Sequence, residues 1–160
     1  MLRKIISGGQ TGADRAGLDF AIEAGLEHGG FVPRRRRAED GRIPEQYDLT
    51  ELSSVSYAVR TKRNVREGDG TVVFSLGPIL TGGSALTFEY ATKVKKPRTH
   101  IHKSAAGYSD EAFNKEVSRL KDFIEHNGIA VLNVAGPRES NQPGVYAFTL
   151  KRLRQYWENH

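Results

Sequence analysis

Short apolar runs alternate along this chain with stretches of helical period, and that alternation limits the fold more than any other feature. Leu2–Ser7, Phe31–Pro33, Thr71–Leu76, Arg98–His102 and Ile129–Val134 read as strands, Phe31–Pro33 being the weakest. After Gly12, Leu18, Ala21, Ile22 and Gly25 recur at helical spacing as a stripe that should face a sheet. Thr11 followed by Asp14 reads as a variant capping box for that helix. Ser56–Glu67 predicts a second helix, ended by Asp69-Gly70, and a third runs from the Gly82-Gly83-Ser84 turn to about Val94. Lys95-Lys96-Pro97 stops it with cations at its negative end. Ser109 or Asp110 caps a fourth helix with Phe113, Val117, Leu120 and Ile124 on one side, closed by Asn127-Gly128. A fifth carries Tyr146, Leu150, Leu153 and Trp157 on one face. Residues 34–53 have no clear period and read as a long surface loop. Strands alternating with helices imply right-handed crossovers and a parallel sheet covered on both faces. The expectation is one three-layer, Rossmann-like α/β domain over residues 1–160, with a mostly parallel five-stranded sheet.

Composition removes whole classes of function. At 160 residues, 38% hydrophobic and 27% charged, the chain has the make-up of a globular domain with a substantial core. No run approaches the roughly 18 apolar residues of a spanning helix. A strand-like run begins almost at the first residue, which leaves no room for a secretory leader and makes the cytoplasm the default compartment. With no cysteine there is no disulfide framework, thiolate metal site or thiol nucleophile. Lys and Arg number 24 against 19 Asp and Glu, net +5, a balance that favours anionic partners.

Three strand ends share one pattern: an apolar run, then glycine with hydroxyl or amide residues, then a helix. They are residues 7–12, 75–84 and 135–144. In an open parallel sheet all three lie on the carboxyl edge, where doubly wound folds bind ligands. Free amides and helix dipoles there attract phosphate. Neither common nucleotide motif is present. No Lys follows the second glycine as a P-loop requires, the dinucleotide glycine spacing fails, and no acid ends the second strand to hold a ribose.

Ser7-Gly8-Gly9-Gln10-Thr11-Gly12-Ala13-Asp14-Arg15-Ala16-Gly17-Leu18-Asp19, with Phe31-Val32-Pro33-Arg34, Arg36-Arg37-Ala38-Glu39-Asp40-Gly41 and Leu80-Thr81-Gly82-Gly83, resembles the putative molybdenum carrier family. The resemblance runs from about residue 2 to Tyr156. It places the chain in a Rossmann-like superfamily shared with the LOG phosphoribohydrolases and the DNA-uptake protein DprA. It implies carriage or storage of molybdenum cofactor (molybdopterin), a pterin with a phosphate and a dithiolene, and a homo-oligomer. Thr81-Gly82-Gly83-Ser84-Ala85-Leu86-Thr87-Phe88-Glu89 is also similar to the LOG glycine motif, with Thr81 for its proline and Ala85-Leu86 for its Gly-Thr step. By that resemblance Arg60 and Glu89 would be catalytic in cleaving a nucleoside 5′-monophosphate.

The candidate ligand-binding residues are Gly8, Gly9, Gln10, Thr11, Gly12, Asp14, Arg15, Arg34, Arg63, Thr81, Gly82, Gly83, Ser84, Gly136 and Arg138. No metal site is assigned, since His100 and His102 share a side of one strand without a third ligand. The leading expectation is a protein that binds a phosphorylated nucleotide- or pterin-like anion. The alternative is a LOG-like hydrolase using Arg60 and Glu89. A nucleic-acid module ranks last, since neither a recognition helix nor an aromatic platform is evident, and no membrane partner is expected.

Overall fold

The computed structural model of the chain describes residues 1–105 and 108–160. In chain order the elements are β1 (Lys4–Ile6), α1 (Ala13–Glu23), β2 (Glu27–Gly29), β3 (Phe31–Val32), a 3-10 turn (Arg34–Arg36), β4 (Arg37–Ala38), β5 (Gly41–Arg42), β6 (Thr50–Glu51), α2 (Tyr57–Glu67), β7 (Gly70–Ser75), α3 (Gly82–Lys93), β8 (Arg98–His102), α4 (Asp110–His126), β9 (Val131–Ala135) and α5 (Val145–Glu158). The main sheet has the order β2-β1-β9-β7-β8, and every neighbouring pair runs parallel. Helices α1, α4 and α5 pack together over one face, and α2 pairs with α3 on the other. This is the expected Rossmann-like α/β architecture.

The last strand sits at the centre of the sheet. If β9 is counted first and the chain is read on through β1, β2, β7 and β8, the order becomes 3-2-1-4-5, that of a doubly wound nucleotide-binding half. The strand order reverses between β9 and β7, so the crevice where such folds bind ligands opens between their following loops.

β7 is buried at all six positions, as its continuous apolar run requires in a sheet covered on both sides. The largest core joins Ile5, Phe74, Leu132 and Val134 of the sheet to Phe20 of α1, Leu120 of α4 and Leu153 of α5. Tyr146 and Trp157 pack against this core from α5, as expected.

Four local readings are corrected. The second strand of the sheet is Glu27–Gly29, not Phe31–Pro33. It is a polar edge strand recruited through its backbone, so no apolar run announces it. Gly30, at φ 126, then turns the chain away; a Cβ there would lie 2.0 Å from the Ser7 carbonyl oxygen. Phe31–Val32 pairs instead with Thr50–Glu51 in a small parallel ladder. Second, residues 34–53 are not a loose loop. Ala38, Ile43, Tyr47 and Leu49 close over Leu18 and Val32 in a core of their own. Arg36 is buried beneath them, its guanidinium donating to the carbonyls of Ile43, Pro44 and Tyr47. Third, the α1 stripe is displaced. Leu18 and Ala21 are fully buried as expected, but Ile22 is 45% exposed and Gly25 exposed, and Ala13, Ala16, Gly17 and Phe20 complete the inward face. Fourth, Thr11 and Asp14 form no capping box. Gly12 is the N-cap without a side-chain bond. At α4 one of the two expected caps, Ser109, is the one used, its Oγ accepting from Ala112 N.

Candidate functional site

A cavity of about 480 Å³ opens at the carboxyl ends of β1, β9 and β7, under α2 and the start of α3. Its position follows from the strand-order reversal, and its size is ordinary for a small-molecule site. All three glycine-rich loops reach it: Gly8 and Gln10 from the first, Ile79–Ser84 from the second, Gly136–Arg138 with Asn141 and Gln142 from the third.

The loops differ in what their amides do. In the first, Gly9 N donates to Ser7 Oγ (3.2 Å), Gln10 N to Asp14 Oδ2 (3.3 Å) and Thr11 N to Gln10 Oε1 (3.1 Å). In the third, Glu139 N donates to Thr11 Oγ1 (3.1 Å) and Ser140 N to Glu39 Oε1 (3.3 Å). The Glu139 carboxylate takes the amides of Gly144 (2.6 Å) and Tyr146 (3.0 Å) at the head of α5. Those amides of the two loops are taken by the protein's own groups. In the second, Leu76 N is held by Gln142 Oε1 at 2.7 Å. The amides of Gly82, Gly83 and Ser84 find no acceptor among the described residues, and the first α3 amide to do so is Ala85 N, on Thr81 O at 3.3 Å. A Cβ built on Gly82 or Gly83 would touch nothing within 4 Å. Three unpartnered amides at the positive end of a helix therefore face open space.

Two cations border that space. Arg60 of α2 is buried and lies flat on the first loop, with Nη1 donating to Gly8 O at 2.6 Å and standing 3.7 Å from Asp14 Oδ2. Gly8 must lack a side chain for this, since a Cβ would sit 2.4 Å from the Arg60 side chain. Arg138, by contrast, is more exposed, and its nearest carboxylate is Glu39 at 3.9 Å. The Tyr57 ring lies between them, with the guanidinium carbons of Arg37, Arg60 and Arg138 at 4.5, 5.1 and 5.5 Å from its centroid. Burial pushes the Asp14 carboxyl up to about 6 although Arg60 and the Gln10 amide pull the other way. Burial likewise lowers Arg60, against the pull of Asp14.

Of the residues singled out in the sequence, Gly8, Gln10, Asp14, Arg60, Thr81, Gly82, Gly83, Ser84, Gly136 and Arg138 line the cavity. The others do not, and each has a structural reason to be elsewhere. Gly9 at φ 69 packs under Ile43 and Leu49, and Gly12 at φ 81 is pressed against the third loop. Thr11 links Glu39 to the Glu139 amide. Arg15 forks onto Asp40 with bonds of 2.8 and 2.9 Å. Arg34 is exposed, and Arg63, also exposed, lies over the Phe31 ring. Glu89 is exposed on α3, about 10 Å along the helix from its N-terminus at 1.5 Å per residue, and is not part of the cavity wall. His100 bonds Ser75 Oγ through Nε2 at 2.6 Å, and burial pushes it down to about 4. Among the described residues no three His, Asp or Glu side chains gather as a metal site.

Sequence reasoning missed Tyr57, Asn64, Asn133 and Gln142 in the wall. Asn133 carried a signal: an amide side chain inside an apolar strand, 2% exposed and donating to Thr71 Oγ1. Asn64 has no such mark, and both ends of its amide are spent on the Phe31 backbone.

No curated protein matches the chain. Among solved structures, the chain is similar to the putative molybdenum carrier protein from Syntrophus aciditrophicus SB, at 44% identity and a TM-score of 0.89, over 98% of this chain and 94% of that one. Residues 5–157 match the circularly permutated YpsA SLOG family. The relocated central strand accounts for the permutation in that description, and a match over nearly the whole length settles membership: this chain belongs to the circularly permutated YpsA SLOG family.

Proposed function

We propose that the crevice binds a phosphorylated nucleotide- or pterin-like small molecule, and that the ligand in the cell is molybdenum cofactor, held for storage or delivery without chemical change. The observation that carries this reading is the set of unpartnered amides at Gly82, Gly83 and Ser84, opening into a cavity that Arg60 and Arg138 border. A phosphate monoester on those amides completes their hydrogen bonds and meets the helix dipole. The rest of the wall mixes amide and hydroxyl side chains, among them Asn133 and Gln142, with apolar ones such as Ile79, Leu80 and Leu86, which suits a flat heterocycle with polar edges.

The residues fit the cofactor at its phosphate end. They offer nothing to its metal, since the chain has no cysteine and the described residues gather no ligand cluster. The molybdenum is then cargo, carried through the pterin phosphate. The name of the Syntrophus protein agrees with this. The hydrolase alternative requires Arg60 and Glu89 to meet one substrate, and only Arg60 borders the crevice. We place the protein in the cytoplasm as a homo-oligomer, the assembly that the family resemblance implies.

Mass spectrometry and metal analysis of protein purified from cells that make the cofactor test this. A bound oxidised pterin with molybdenum, lost in Arg138→Ala at unchanged melting temperature, is the expected result. Wild-type protein carrying no pterin, together with no affinity for pterin phosphates in titration, would refute it.

A further inference from the structure

Arg138 lines the crevice with its donors unspent. Its guanidinium makes no hydrogen bond among the described residues, and its nearest carboxylate, Glu39, stands 3.9 Å away. That carboxylate is committed to the Thr11 hydroxyl and to the amide and hydroxyl of Ser140. Arg60, from α2, lines the same crevice, and the two cations repel: Arg138 is among the charges that push the Arg60 pKa down. The ring of Tyr57, also in the wall, draws both. The guanidinium carbons of Arg60 and Arg138 lie over it, 5.1 and 5.5 Å from its centroid, within the range of a cation–π contact. The ring is itself fixed. Tyr57 is the first residue of α2, behind a Ser56 N-cap whose Oγ accepts from Val59 N. Arg37 covers the ring at 4.5 Å while donating to Val55 O at 2.9 Å. The Tyr57 hydroxyl has no hydrogen-bond partner among the described residues, so the ring and not the phenol is what the arginines meet.

We propose that Tyr57 is a positioning residue for the anion site: its ring holds the Arg138 guanidinium, N–H donors free, in the crevice wall beside Arg60 and against the repulsion between the two. This rests on the phosphate reading of the crevice given above. A guanidinium already held in place gives up less rotamer freedom when a phosphate arrives.

Calorimetric titration with ribose 5-phosphate tests this on wild type, Tyr57→Phe, Tyr57→Leu, Arg138→Ala and the double variant Tyr57→Leu with Arg138→Ala. The probe is a phosphate monoester without a heterocycle, so stacking of a base on the ring does not enter the result. Tyr57→Leu should bind it about fivefold more weakly, the scale of one cation–π contact. Phenylalanine keeps the ring and should restore affinity to within about twofold of wild type. In the Arg138→Ala background the leucine should cost less than about twofold further, whereas a general loosening of α2 would cost the same in both backgrounds. Tyr57→Met replaces the leucine where thermal melts show that variant unfolded. An equal loss in both backgrounds, no loss in Tyr57→Leu, or a loss that Tyr57→Phe shares overturns the inference and leaves the phosphate site standing. Wild type that binds no ribose 5-phosphate overturns the phosphate site with it.

Discussion

Gly83→Ala separates a residue kept for the fold from one kept for a ligand. Gly83 lies in the first turn of α3, its φ is not positive, and a Cβ there meets no protein atom within 4 Å. Alanine at such a position removes unfolded-state freedom and gains about 0.4–1 kcal/mol. For a chain of this size that raises the melting temperature by roughly 1–4 °C, at about 2–4 °C per kcal/mol. The new methyl leans toward the helix N-terminus, as every helical Cα–Cβ bond does. It enters the space in front of the free amides. Loss of one charge-assisted hydrogen bond is about 1.5–3 kcal/mol, so phosphate-bearing ligands should bind roughly ten- to a hundredfold more weakly at about 1.4 kcal/mol per decade. Gly77→Ala is the control, since it also meets no atom and lies off the cavity wall; it should leave affinity unchanged. Calorimetric titration beside thermal melts reads both quantities. A Gly83→Ala protein with a raised melting temperature and wild-type affinity would refute the placement of phosphate on α3.

Two further predictions concern the fold beneath the site. At Gly136 a Cβ would lie 2.3 Å from the Phe74 carbonyl oxygen and 2.6 Å from Ala13 Cβ, neither of which can move aside freely. Gly136→Ala should therefore lose about 2–3 kcal/mol or more by overpacking, visible as a lower denaturant midpoint; an unchanged midpoint would contradict the close approach of the loop after β9 to β7 and α1. The second concerns pH. Asp14 sits near 6 in the native state against an ordinary 3.8, so between those values the native state keeps a proton the unfolded chain has lost, and stability falls as pH rises. His100 sits near 4 against 6.5, so over that window the unfolded chain takes a proton the native state refuses, and stability falls as pH drops. The two slopes oppose each other between about pH 4 and 6. His100→Gln should remove one of them, making stability decline with rising pH there relative to wild type; urea midpoints across that range giving parallel profiles for the two proteins would sink the assignment.

The architecture was legible because the central strands are buried on both faces and must be apolar throughout. Val72, Val73 and Phe74 have no freedom to be otherwise. β2 was illegible for the opposite reason. An edge strand of Glu27, His28 and Gly29 contributes its backbone to the sheet and leaves no period to read. The segment over residues 34–53 hid its core because its apolar residues stand at irregular intervals around a buried arginine. There, burial is set by three carbonyls that converge on one guanidinium. Nothing in the charge of Arg36 separates it from its exposed neighbours Arg34, Arg35 and Arg37.

The site divides in the same way. Glycine at a strand end reports that backbone approaches something closely, and all three loops do converge on one cavity. It does not say whether the close neighbour is a ligand or the protein. Gly12 and Gly136 are glycines because other loops and strands press on them; Gly82, though nothing lies before it, takes a positive φ of 53 that itself favours glycine, and Gly83 has neither constraint. Likewise an amide at a helix start is a ligand donor only if no side chain reaches it first, and here Asp14 and Glu139 reach two of the three loops. Those two carboxylates lie close in sequence to the amides they occupy, four residues from Gln10 and five from Gly144. An acid within one turn of a glycine-rich loop is thus a sequence-level reason to discount that loop as a phosphate site. The second loop, Gly77–Ser84, contains no acid at all, and it is the one whose amides remain free.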